Sequence, residues 1–230
     1  QTLEFKPNMA HLWFLANIFL YVIISLSVFT YFKNNENIVK QLSRLFETPI
    51  GIMLFAIPYT LEAILTNPTS YTNYFSDLHG FMLGLVAFFT GFCFVLSGKT
   101  FWNTILKWRY LFLSISVTLF LIRLFIYKLV APNYLIALEG FHWIITIFGF
   151  GYKYLNKPSK WLSYLSSSVY PIYIIHMAFL YLATYFIFPL NMNAELKLLL
   201  VVLITFVGCF ALYELVIKRI NQRLYVDENS

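Results

Sequence analysis

The sequence predicts an all-α protein, a polytopic bundle of about seven transmembrane helices. Of the 230 residues, 60% are hydrophobic and only 11% are charged, whereas soluble domains carry about 25% charged residues. The apolar residues come in blocks of about 17 to 23, the length that crosses a hydrocarbon core roughly 30 Å thick. The segments between the blocks are short and leave no room for a soluble domain.

Seven apolar blocks qualify as spanning helices. They lie at about His11–Phe32, Ile50–Thr66, Leu78–Ser97, Trp108–Val130, Asn133–Gly151, Ser167–Pro189 and Leu196–Ile217. The second block is short for a span and contains Pro58.

Basic residues alternate between the two ends of the blocks. Most lysines and arginines follow blocks one, three, five and seven, and few lie at the opposite ends. By the positive-inside rule we expect Gln1 outside and Ser230 in the cytoplasm. The net charge of +6 therefore serves topology and does not indicate nucleic-acid binding.

Two charged residues fall at similar depth in blocks four and five. Arg123 precedes the end of its block by about seven residues and Glu139 lies about six residues into the next, with about two residues between the blocks. Because each charge is costly alone in a membrane, we predict an Arg123–Glu139 ion pair across an antiparallel hairpin. His142 follows on the same helical face as Glu139. The pair could join the two helices as a structural contact or contribute to a site, and both interpretations stay open.

His176 follows a serine run and a proline in block six. Pro171 lacks an N–H, so we expect it to disrupt the helix near its start and leave the carbonyl around Ser167 without its usual partner. Irregular backbone at this depth is tolerated where it is buried in protein or lines a wet cavity. Tyr173 and His176 project from one face just after the kink. We interpret His176 as a site residue, with a hydrogen-bonded packing residue as the alternative.

The remaining titratable groups in the spans carry weaker signals. His11, beside Trp13, could equally be an interfacial anchor. His79 follows Asp77 and could be a helix-start residue after an aspartate cap or a functional group. Glu62 lacks a partner nearby in the sequence, and its role stays open. No cysteine–histidine pair has metal-ligand spacing, so we expect no metal site.

Four segments carry patterns that can be compared with known proteins. His11–Leu15 contains H-L-W-F-L, Phe81–Phe92 begins F-M-L-G and ends T-G-F, Gly149–Asn156 contains G-F-G-Y-K-Y-L-N, and Leu162–His176 contains L-S-Y-L-S and Y-P-I-Y-I-I-H. These segments resemble motifs of the acyltransferase 3 family of integral membrane acyltransferases. Within that family the chain is similar to the branch that includes glucan biosynthesis protein C and O-acetyltransferase-like enzymes.

The resemblance implies O-acyl transfer, such as O-acetylation, from a cytoplasmic acyl-CoA to a hydroxyl of a cell-envelope carbohydrate, for example a glucan or an O-antigen. The implied location is the bacterial inner membrane. The expected partners are acyl-CoA, the carbohydrate acceptor and the lipid bilayer, without nucleic acid or a bound cofactor. Our candidate catalytic residues are His176, His79 and His11. Our candidate substrate-binding residues are Tyr173, Arg123, Glu139 and His142.

Members of the family have more spans than the seven expected here. We therefore expect residues 1–230 to form one transmembrane domain, the C-terminal part of a longer protein whose first helices are missing. In the family, the first helix carries an arginine or lysine followed by a catalytic histidine, and no segment of this chain matches that pattern. The main general base could thus lie upstream, and the chain alone could be inactive.

Two other classes of membrane protein compete with the enzyme. A seven-span receptor would have the same number of helices, but the chain lacks an Asn-Pro-x-x-Tyr segment and an inner Asp-Arg-Tyr-like boundary. A secondary transporter would show broken helices in two corresponding halves, and only Pro58 and Pro171 suggest this.

Overall fold

The computed structural model describes residues 13–69 and 77–218, which form helices and no β-strand. The helices are α1 (Trp13–Asn34), α2 (Glu36–Phe46), α3 (Pro49–Met53), α4 (Ala56–Thr66), α5 (Leu78–Leu96), α6 (Lys99–Phe125), α7 (Asn133–Tyr154), α8 (Lys160–Ile187) and α9 (Ala194–Leu212), followed by a π-helical turn (Tyr213–Ile217). Seven segments of this described part are long and apolar enough to cross a membrane. The prediction of an all-α polytopic bundle is confirmed, and the chain is a multi-pass membrane protein.

The number of spans agrees with the prediction, but several boundaries differ. The second span, Pro49–Thr66, combines α3 and α4. The fourth span covers Lys99–Phe125 instead of Trp108–Val130, and the sixth covers Lys160–Ile187 instead of Ser167–Pro189. Apolar content locates the hydrocarbon layer, whereas backbone hydrogen bonding continues into the interface, where lysine and tryptophan side chains are well accommodated. Helices α6 and α8 therefore begin earlier than the apolar blocks.

Helix α2 is an addition to the sequence-based prediction, which treats this segment as a loop. Its N-cap is Asn35, whose Oδ1 accepts hydrogen bonds from two backbone N–H groups of the first turn. Glu36 and Lys40 form an exposed ion pair at 3.2 Å, while Phe46 at the other end is fully buried. The alternation of charged and apolar residues makes α2 an amphipathic helix.

The chain divides into two compact units, residues 1–156 and residues 157–230. The core of the first unit contains Phe46, Phe101, Phe112 and Ile145, all fully buried. The second unit consists of α8, α9 and the π-helical turn, and α8 packs on α9 around Ala183. A single domain over the whole chain stays a prediction.

Contacts among five helices of the first unit position the candidate site. Helix α4 packs against both α5 and α7, α1 packs against α5, and α6 and α7 pack along their length as an antiparallel hairpin. The two helices of the hairpin are in close contact at Gly149. A Cβ at this position would lie 3.0 Å from the carbonyl oxygen of Ile105 in α6. The two helices are also joined by the buried hydroxyls of Ser116 and Thr146, 3.1 Å apart.

Candidate functional site

A buried carboxylate and a buried imidazole meet where α4 ends and α5 begins. His79 Nδ1 lies 2.9 Å from Glu62 Oε1, and the two side chains are 2% and 4% exposed. The hydroxyl of Thr66 adds to the cluster, 3.1 Å from Glu62 Oε1 and 3.4 Å from His79 Nδ1. Ionisable groups within a membrane span are costly and are commonly functional. We call these three residues the Glu62–His79 cluster.

The local sequence brings these groups together. Helix α4 ends at Thr66, and the next residue, Asn67, adopts the left-handed conformation with φ of 42° that often terminates a helix. Helix α5 then begins at Leu78, after Asp77 in an extended conformation. The side chain of Asp77 makes no capping hydrogen bond, and His79 is 1% exposed. The aspartate cap expected before His79 is therefore absent, and the catalytic role of His79 stays a prediction.

The hydrogen bond between the two side chains defines what the imidazole can do. A carboxylate oxygen accepts a hydrogen bond, so the Nδ1–H of His79 donates to Glu62 Oε1. This fixes the tautomer in which the Nε2 atom carries the lone pair, the arrangement found in catalytic triads. The other carboxylate oxygen, Glu62 Oε2, is buried and has no hydrogen-bond partner among the described residues. Such an oxygen is costly in a protein interior unless a donor reaches it.

An apolar cavity of about 630 Å³ lies within the first unit. Its walls come from α1 between Trp13 and Tyr21, from α5 between Gly80 and Phe88, and from α7 between Ile136 and Ile144, together with Tyr59 of α4. Gly80 directly follows His79 in the sequence, but the side chains of the cluster are not part of the lining. The volume of the cavity is within the size range of small-molecule sites.

The predicted Arg123–Glu139 ion pair is confirmed. Arg123 donates from Nε to Glu139 Oε2 at 2.6 Å and from Nη2 to Oε1 at 3.0 Å, a bidentate arrangement. The guanidinium also lies over the ring of Phe120, 5.3 Å from its centroid. The connection between the helices, residues 126–132, is longer than the two residues expected, and Lys128 and Leu129 within it have positive φ. The pair forms nonetheless because both groups lie near the same end of the hairpin.

His142 is buried on the same helix as Glu139. Its Nδ1–H donates to the backbone carbonyl of Leu138 at 2.8 Å, and the residue is 4% exposed. A neutral imidazole in this arrangement again presents Nε2 as its acceptor atom. Its assignment to substrate binding stays a prediction.

His176 lies in the second unit, on a continuous helix. Pro171 is inside α8, which extends from Lys160 to Ile187, so the expected disruption near the start of the helix is wrong. The reason is that about three turns precede Pro171, where its missing N–H removes one bond from an established helix. His176 Nδ1–H donates to the Tyr173 carbonyl at 2.6 Å, and the two rings are 5.8 Å apart. The same-face prediction is confirmed, and the catalytic role stays a prediction.

One predicted site residue lies outside the described residues, and one residue that contacts His79 was absent from the predicted site. His11 lies outside the described residues. Glu62 has no role in the predicted site, although it is the residue that orients His79. A signal for this contact does exist, because Glu62 lies about one turn before the end of α4 and His79 in the first turn of α5. The depth comparison that pairs Arg123 with Glu139 applies equally here.

No protein-family model matches the chain, and comparisons with curated proteins and with solved structures found no match. The site must therefore be interpreted from its own geometry and from the sequence motifs.

Proposed function

We propose that this chain belongs to an integral membrane acyltransferase that moves an acyl group from acyl-CoA to a hydroxyl of a cell-envelope carbohydrate. The observation that carries the proposal is the Glu62–His79 cluster, in which a carboxylate orients a buried imidazole inside a membrane span. A cavity of small-molecule size in the same unit and the motif resemblance to acyltransferase 3 proteins support the same function.

In the proposed reaction, His79 is the general base. Its Nε2 accepts the proton of the acceptor hydroxyl as that oxygen attacks the thioester carbonyl of acyl-CoA, and a tetrahedral intermediate forms. When the intermediate collapses, the carbon–sulfur bond breaks, and the imidazolium returns the proton to the leaving thiolate. The products are the acyl ester and CoA, with no proton gained or lost overall. General base catalysis of this kind contributes roughly 10²- to 10⁴-fold in rate.

Glu62 acts as a positioning residue in this scheme. Its Oε1 holds the Nδ1–H tautomer of His79 and stabilises the imidazolium that forms during the reaction. Its Oε2, without a partner among the described residues, can accept a hydrogen bond from a hydroxyl of the acceptor. Burial of both groups keeps bulk water from competing with the acceptor for the acyl group.

The acyl donor is proposed to approach from the cytoplasm of the bacterial inner membrane, where the C-terminus is also proposed to lie. Because the same orientation puts the Glu62–His79 cluster at the periplasmic end of α4 and α5, the thioester has to reach across the spans to meet His79. The support is the excess of lysine and arginine at alternate ends of the spans. Reporter fusions at residues 98 and 158, between successive spans, should both report a cytoplasmic location. A periplasmic signal at either position would contradict this orientation.

A transfer assay tests the proposed chemistry. Membranes that carry the full-length protein are given radiolabelled acyl-CoA and an envelope glycan fraction, and acylated glycan is measured. We expect His79→Gln to lower the rate by about 10²-fold or more, because the amide cannot serve as a general base. Glu62→Gln should lower it comparably, because an amide can donate to the imidazole and favour the wrong tautomer.

Glu36→Gln is the matched control, since it also neutralises a glutamate but lies in the exposed ion pair of α2. It should retain normal activity. Membrane insertion and elution as a single species are also measured for each variant. These measurements separate a loss of catalysis from a loss of folding. Full activity in a folded His79→Gln protein would refute the role of His79.

A further inference from the structure

Thr66 lies where its hydroxyl reaches both other members of the Glu62–His79 cluster. It follows Glu62 by about one helical turn, so the two side chains lie on the same face of α4. The Oγ1 atom of Thr66 lies 2.9 Å from the backbone carbonyl oxygen of Glu62 and 3.1 Å from Oε1 of the same residue. It is also 3.4 Å from Nδ1 of His79. The hydroxyl therefore contacts both groups of the proposed general-base pair.

The hydroxyl of Thr66 has one proton to donate, and two oxygens of Glu62 compete for it. A bond to the carbonyl four residues earlier is ordinary for a threonine in a helix. The bond to Oε1 is different, because Oε1 is also the oxygen that accepts the Nδ1–H of His79. Two donors from two helices thus converge on Oε1, whereas Oε2 has no partner among the described residues.

The convergence of two donors on one oxygen restrains the carboxylate. The terminal torsion of a glutamate side chain is broad, so a carboxylate that is held by a single donor can rotate away from it. A second donor to the same oxygen opposes this rotation, and hydrogen bonds to an ionised group are stronger than those between neutral groups. The orientation of Glu62 therefore depends on Thr66 as well as on His79.

We propose that Thr66 is a positioning residue whose hydroxyl keeps Oε1 of Glu62 facing Nδ1 of His79. It thereby holds the imidazole in the Nδ1–H tautomer, with the lone pair on Nε2. The expected effect of Thr66 on acyl transfer rests on the proposed function, but its effect on the tautomer does not. The two effects can therefore be measured separately.

Two threonines of α4 provide a matched pair of variants. Thr60 is half-buried, as Thr66 is, and its hydroxyl also donates to the carbonyl four residues earlier, that of Ala56, at 2.9 Å. Its other bond goes to the carbonyl of Ile57, so neither bond involves the cluster. Valine at position 60 removes bonds to the backbone alone, whereas valine at position 66 also removes the bond to Glu62 Oε1. Thr66→Ser retains the hydroxyl.

The tautomer of His79 is measured by ¹⁵N NMR on the purified full-length protein with ¹⁵N-labelled histidine, in bicelles and at a pH where histidine is neutral. The signals of His79 are those that disappear in His79→Gln. We expect the wild type to be mainly the Nδ1–H form. Thr66→Val should raise the ratio of Nε2–H to Nδ1–H by about tenfold, because it removes a hydrogen bond to a charged group. Thr66→Ser and Thr60→Val should stay within about twofold of the wild type.

The transfer assay gives a second measurement. In Thr66→Val we expect kcat to fall by about tenfold with KM unchanged, because Thr66 acts on the general base and does not bind the substrate. Thr66→Ser should restore kcat, and Thr60→Val should leave it unchanged. If Thr66→Val does not insert and elute as a single species, Thr66→Ala takes its place in both measurements.

The outcomes separate this inference from the proposed function. A tautomer ratio in Thr66→Val that equals the wild-type ratio, or that Thr60→Val reproduces, would overturn the positioning role. Failure of Thr66→Ser to restore the ratio would also overturn it. A changed ratio in a protein without any acyl transfer would retain the positioning role and refute the proposed chemistry. An unchanged ratio together with transfer that depends on His79 would refute the positioning role and leave acyl transfer standing.

Discussion

The Arg123–Glu139 pair allows a quantitative test of how this hairpin is stabilised. The side chains are 24% and 6% exposed, and two hydrogen bonds of 2.6 and 3.0 Å join them. Removal of one partner leaves the other charge uncompensated, which costs about 3 to 5 kcal/mol for a buried pair. We expect Glu139→Met to cost about 3 kcal/mol, the lower end of that range, because the partly exposed Arg123 can move toward water.

The double variant separates the pair from its parts. Arg123→Met alone leaves a carboxylate in a nearly dry position, so it should cost about 4 kcal/mol. Arg123→Met combined with Glu139→Met removes both charges and should lie within about 1 kcal/mol of the wild type, since apolar replacement of a buried pair is often neutral. The resulting coupling energy, the summed cost of the single variants minus that of the double variant, should be about 6 kcal/mol or more.

The assay is reversible unfolding of the purified protein in bicelles, followed by circular dichroism. Glu36→Gln, from the exposed pair of α2 whose side chains are 84% and 67% exposed, is the control and should change stability by less than about 0.5 kcal/mol. The reasoning is refuted if the single variants cost no more than this control. It is also refuted if the effects of the two single variants simply add.

Two further predictions concern close packing in the first unit. Gly84→Ala should destabilise the protein by about 1 to 3 kcal/mol, because the new Cβ would lie 2.2 Å from the hydroxyl of Tyr21. Gly91→Ala should be neutral or stabilising by up to about 1 kcal/mol, because a Cβ at this position would meet no atom within 4 Å. The melting temperatures of the two variants test this difference. Thr146→Val should cost about 0.6 to 1.7 kcal/mol in the same unfolding assay, because it removes the buried hydroxyl bond to Ser116. A neutral Thr146→Val would show that this bond does not contribute to hairpin stability.

The membrane fold could be predicted because the bilayer imposes one length on every span. The number of spans follows from blocks of apolar residues, and the Arg123–Glu139 contact follows from depth alone. Neither inference needs side-chain packing. Helix α2 was not predictable in this way, because an amphipathic helix between spans depends on how Phe46 is buried against the core and on the cap supplied by Asn35.

The Glu62–His79 contact was not predicted from the sequence for a different reason. Eleven positions separate Thr66 from Leu78, so the hairpin is less obvious than the short connection expected between α6 and α7. An aspartate before His79 also suggested a helix cap that the structure lacks. The prediction from Pro171 was wrong for another reason. A proline ends a short helix, but the long helix α8 continues through Pro171.

The two buried pairs differ in whether one of their side chains can take up and release a proton. This difference separates their proposed roles. A guanidinium holds its proton at any physiological pH, so Arg123 can neutralise Glu139 but cannot exchange a proton with it or with a substrate. An imidazole can take up a proton from a substrate and return it within one reaction. In the proposed reaction His79 does so while its Nδ1–H stays bonded to Glu62 Oε1 at 2.9 Å. The proposed chemistry therefore rests on this pair, whereas the Arg123–Glu139 pair joins the two helices of the hairpin whose helix α7 forms one wall of the cavity.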